Sequence, residues 1–203
     1  AVLTTSVAFL RAMREKLGDV GRAVRPRVLG GHSLGLFSAA ASLGLQGLDL
    51  LALPPRSILT PAPWTAALAT SLGPSLLIAI AAMAAAWLAS RNPGMTAARS
   101  LAALALAGVG LSLTTSGHAA SAPPQWLTRP SLFLHGVAVA YWIGALAPLA
   151  AMAWRRDDGL FRALTKFSAI AVPVVGLLAL TGIVLAVIQL GSFGALADSR
   201  YGL

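Results

Sequence analysis

The stretch SLFLHGVAVAYWIGALAPLAAMAW, Ser131–Trp154, carries no Asp, Glu, Lys or Arg. As a helix rising 1.5 Å per residue it would be about 36 Å long, enough to cross a hydrocarbon core of roughly 30 Å. It lacks the alternating pattern of a barrel strand, and a helix satisfies every backbone group within the segment. Working outward, four more stretches read the same way: Val28–Leu50, broken only by Asp49 near its end, then Leu72–Ser90, Ser100–Gly117 and Phe167–Leu190. Punctuation separates them. Leu53-Pro54-Pro55-Arg56, Arg91-Asn92-Pro93-Gly94, Ala122-Pro123-Pro124 and Arg155-Arg156-Asp157-Asp158-Gly159 are turn and loop signals. The expected fold is all-α, a polytopic transmembrane helical bundle of about five spans.

Composition agrees. Of the 203 residues 57% are apolar and only 10% charged, with no cysteine. A water-soluble domain carries about a quarter charged residues, so too few charges are present to cover a soluble surface. The apolar content excludes a disordered chain, and the missing cysteines exclude a disulfide framework. No Ser-His-Asp set, carboxylate pair or phosphate-binding glycine loop is evident, so an enzyme is not expected.

The net charge of +9 raises the question of nucleic acid, and the placement of the charges answers it. Arg11, Arg14, Lys16, Arg22, Arg25 and Arg27 precede the first full span; Arg91 and Arg99 lie between spans two and three; Arg155, Arg156, Arg162 and Lys166 lie between spans four and five. With alternating spans these twelve of the 15 basic residues share one side, leaving Arg56, Arg129 and Arg200 opposite. That is the positive-inside asymmetry, and it makes the basic side cytoplasmic. The implied partner is a lipid bilayer, with no nucleic acid. Trp87 and Trp154 at the inner ends, with Trp64 and Trp126 in the outer connections, suit the two headgroup belts, while Trp142 falls inside span four. Ala1–Leu10 is apolar but is followed by positive charge, the reverse of a signal peptide. It reads as the tail of an earlier helix, and the chain as a block of a longer protein.

Polar side chains at membrane depth face protein or a water-filled path. In span one His32, Gly35, Ser38, Ser42, Gln46 and Asp49 recur every three or four residues, within about a third of the helix circumference. They suit either the wall of a polar pathway or small-residue helix contacts. Two histidines stand near the outer side: His118 at the end of span three, and His135 about one turn into span four. Antiparallel neighbouring helices let the two imidazoles converge, and imidazole suits copper, zinc, iron and nickel. Thr114, one turn before His118, is placed to orient its ring, and Trp142 lies two turns beyond His135 on a similar face. His32, about 20 Å away along the membrane normal at 1.5 Å per residue, is expected at the inner interface. Met83, Met95 and Met152 are soft thioethers but equally ordinary packing residues. Gly136, Ala140 and Gly144 form a small-residue ridge on span four; on span five Gly182 and Ala186 form a pair, and Pro173 predicts a kink.

Several of these pieces resemble one family. Ser116-Gly117-His118-Ala119-Ala120, Leu134-His135, Tyr141-Trp142-Ile143-Gly144-Ala145-Leu146, Lys166-Phe167-Ser168, Leu180-Thr181-Gly182-Ile183 and Arg200-Tyr201-Gly202-Leu203 follow the order of elements in CopD copper-resistance and copper-uptake membrane proteins. Lys166 stands where that family has Arg, and the family's last helix lies beyond Leu203. The resemblance covers about Leu111 to the end, with a fainter likeness over Leu45–Pro54 and Trp64–Gly73. It divides the chain into 1–27, the tail of an earlier helix plus a cytoplasmic basic segment; 28–110, the first membrane helices; and 111–203, a CopD-like membrane domain truncated at its C-terminus. It implies import of a copper ion across the bacterial inner membrane, with a periplasmic CopC-type protein as partner, and it makes His118 and His135 the outer-side copper ligands. Two other readings stand beside it: a b-type haem electron carrier, since paired membrane histidines also ligate haem, and a non-transporting copper-related assembly subunit.

Overall fold

A computed structural model describes residues 18–92 and 96–190. Residues 1–17, with Arg11, Arg14 and Lys16, lie outside the described residues, as do Met95 and the Arg200–Leu203 motif. The fold is an all-α helical bundle, with no strand among the described residues. We number its helices α1 (Gly18–Leu50), α2 (Pro61–Leu68), α3 (Leu72–Arg91), α4 (Ala98–Thr114), α5 (His118–Ser121), α6 (Gln125–Trp154) and α7 (Leu160–Leu190), with a 3-10 turn at Pro55–Leu59 before α2. Within α1 (from Arg25), α3, α6 and α7 the chain is long and apolar enough to cross a membrane.

The third expected span is the exception. Its helix has 17 residues and ends at Thr114, three short of Gly117. Thr114 and Thr115 turn their hydroxyls back onto the carbonyls of Leu111 (2.8 Å) and Ser112 (2.9 Å). Gly117 then takes φ +91°, which a residue with a Cβ rarely adopts, and the chain changes direction into α5. The other helices outrun their predicted ends: α6 starts six residues early, at Gln125, and α7 seven early, at Leu160, with Pro173 inside it. The connection after α1, read from sequence as a plain interruption, folds into the 3-10 turn and α2. Trp64 lies in α2 and donates its indole N–H to the Ile58 carbonyl at 2.7 Å.

The long helices pack in chain order: α1 on α3, α3 on α4, α4 on α6 and α6 on α7, with α2 against the C-terminal half of α1. Cross-contacts confirm the up-and-down course. At one end the Arg25 guanidinium donates to the Arg91 carbonyl, and Arg91 lies 4.9 Å over the Trp87 ring. Toward the other, Ser75 near the start of α3 donates to the Ser112 carbonyl near the end of α4 at 2.6 Å.

Burial runs opposite to a soluble core. The buried apolar positions are mostly alanine, among them Ala39, Ala82, Ala86, Ala102 and Ala105, whereas Phe37, Leu45, Leu104, Val172 and Leu180 lie exposed. Lipid tails solvate large aliphatics as well as a protein interior does, so small residues that admit close backbone approach occupy the helix contacts. Gly136, Ala140 and Gly144, the predicted ridge, are all buried. At the crossing of α4 and α6, a Cβ on Gly110 would come within 2.9 Å of the Phe133 carbonyl oxygen, and one on Gly136 within 2.5 Å of the Leu113 side chain.

Candidate functional site

The α6–α7 pair positions the most informative polar contact in the membrane region. These helices are antiparallel and joined by a short turn, in which the Asp157 carboxylate accepts the Gly159 N–H at 2.8 Å. Ala145, Leu149 and Met152 of α6 pack with Ala163 of α7 near the turn. His135, ten residues into α6, meets Thr181, nine residues before the end of α7. His135 Nδ1 lies 2.9 Å from Thr181 Oγ1. Thr181 is buried and His135 half-buried. The Thr181 hydroxyl donates to the Leu177 carbonyl at 2.7 Å, one turn earlier in its own helix, with Leu178 farther at 3.2 Å. Next to it Gly182 keeps the surface of α7 low: a Cβ there would sit 3.6 Å from Cε1 of the imidazole.

His118 is placed differently from its expectation. It opens the short helix α5 and is exposed, after the turn at Gly117 rather than at the end of α4. Thr114 is buried, with its hydroxyl given to Leu111, so it does not orient the His118 ring. His135 in turn lies about 15 Å along α6 from Gln125, not one turn below the helix end. The two histidines thus stand on successive elements, His118 on α5 and His135 on α6. Among the described residues no group of three or more His, Asp or Glu side chains is arranged to hold a metal ion.

The span-one stripe also divides. His32 is buried among the helices, and its Nδ1–H donates to the Val28 carbonyl at 2.8 Å. Gly35 and Gln46 are half-buried, while Ser38, Ser42 and Asp49 are exposed, with the Ser42 hydroxyl donating to the Ser38 carbonyl at 2.8 Å. The face of α1 that the bundle buries instead includes Val28, Ala39 and Leu43. Met83 packs over Gly35, and Met152 is buried with Ala145, Leu149 and Ala163, a packing role. Trp142 is partly exposed, and Trp126 and Trp154 strongly so, as indoles at headgroup depth would be.

Thr181 is the residue whose contact sequence reasoning missed. Its only local signal was a Thr-Gly pair in an otherwise aliphatic helix. Its partner lies 46 residues earlier in the chain.

Comparison with known family models, with characterised proteins and with solved structures gives no match to this chain.

Proposed function

We propose that the chain is the membrane block of a copper-transport protein that imports the ion across a bacterial inner membrane. The observation that carries this reading is an ionisable imidazole, His135, held half-buried on a membrane-spanning helix by Thr181. Such groups are costly at membrane depth and mark ion or substrate paths. Copper suits the donors, because imidazole ligates it and the chain offers no thiolate. The order of the CopD-like motifs supports the choice of metal, and His135 and Thr181 both fall within those motifs. In this reading copper is cargo. Exposed His118 receives it at the outer surface, where a periplasmic CopC-type protein would deliver it, and His135 takes it deeper.

The experiment is copper accumulation in cells expressing the full-length protein with His118→Ala or His135→Ala. The expected result is loss of copper-dependent accumulation in His135→Ala and a partial loss in His118→Ala. Unchanged accumulation in both sinks the reading. A Soret band in the purified protein would replace it with the b-type haem carrier.

A further inference from the structure

We infer that Thr181 is a positioning residue that fixes the tautomer of His135, so that the imidazole turns an unprotonated Nε2 toward an incoming ligand. The argument follows the hydrogens. A threonine hydroxyl carries one, and that of Thr181 is committed to the Leu177 carbonyl at 2.7 Å. Its oxygen can then only accept along the 2.9 Å contact to His135. The hydrogen of that bond therefore sits on Nδ1. In a neutral imidazole the other nitrogen, Nε2, then holds a lone pair.

The same contact sets the ring's orientation. Nδ1 is tied to α7, and Cε1 lies beside Gly182, where a Cβ would sit at van der Waals contact, 3.6 Å away. The Leu177–Thr181–His135 chain has the form of the outer-shell support usual for metal-binding histidines, in which a second group holds the N–H that is not at the metal. Here a hydroxyl relays to a backbone carbonyl, which brings no charge into the membrane. The inference rests on the copper reading only for the identity of the ligand.

The test uses the full-length protein labelled with 15N-histidine, with His135 assigned by the signals lost in His135→Gln. The 15N spectrum should show wild-type His135 in the Nδ1–H form and Thr181→Ser unchanged. In Thr181→Val, which keeps the shape but removes the acceptor, the Nε2–H form should gain at the expense of the other. A wild-type spectrum showing the Nε2–H form overturns the inference, and so does a Thr181→Val spectrum identical to wild type. The wild-type measurement decides even if Thr181→Val does not fold.

Titration with Cu(I) then separates the two claims. A fall in affinity of about 10-fold or more in Thr181→Val, restored in Thr181→Ser, supports both. A tautomer change in a protein that binds no copper leaves Thr181 as the positioning residue and removes the metal.

Discussion

Helices α6 and α7 are neighbours of almost equal length, 30 and 31 residues, yet they use their surfaces in opposite ways. In the most apolar stretch of α6, 44% is buried within the chain; in that of α7, the figure is 11%. The buried positions in the middle of α6 are small: Gly136, Ala138, Ala140, Gly144 and Ala145. The exposed side of α7 is large and branched: Ile170, Val172, Val175, Leu180 and Ile183. In water the larger side chains would be drawn inside. In a bilayer they lose nothing by facing lipid, and contact between helices is decided by how closely backbones approach. His135 and Thr181 sit at the contact between the two helices, where a side-chain hydrogen bond of 2.9 Å links them.

The contrast can be attacked first at the close crossing of α4 and α6. Gly110→Val places a Cβ within 2.9 Å of the Phe133 carbonyl oxygen and 2.7 Å of Val137 Cγ2. Backbone must move, and overpacking should cost about 1–3 kcal/mol. Unfolding followed in detergent should register this. An unchanged midpoint would mean that α6 is not held by close approach.

A smaller effect of opposite sign is expected at the turn into α7. Arg156 sits at φ +52°, and the N–H groups of Arg156 and Asp157 donate to the Ala153 and Met152 carbonyls, the Schellman pattern that favours glycine. Arg156→Gly should stabilise by about 0.5–1 kcal/mol in the same assay, the relief of left-handed strain exceeding the added chain entropy. A lower midpoint would show that the Arg156 side chain is needed.

The smallest change tests the lipid-facing side. Val172 is 75% exposed, and Val172→Ala should shift stability by no more than about 0.5 kcal/mol. A loss above about 1 kcal/mol would show that protein, not lipid, covers that side of α7.

The helix ridge on α6 was readable because small residues at every fourth position announce a contact wherever they occur. The stripe on α1 shows the limit of the same method. Its spacing correctly put Ser38, Ser42 and Asp49 on one side, but the bundle turned that side outward and buried Val28, Ala39 and Leu43. Periodicity defines a face and says nothing about which neighbour covers it. The expected end of span three differed for another reason. Ser100–Gly117 looks uniform in hydropathy, whereas the helix stops where hydroxyls bond back to their own turn and Gly117 enters a left-handed conformation. Those are local geometric events that an apolar count does not register.

The amino-acid sequence alone determined the solvent and the class of this protein. A chain with 10% charged residues and long uncharged stretches has to meet its backbone hydrogen bonds inside helices and its side chains in lipid. It also marked His135 as an unusual residue for such a helix. Only the tertiary structure decided what that histidine touches. The bond to Thr181 joins positions 46 residues apart, and it exists because the α6–α7 packing brings those two positions together in one register.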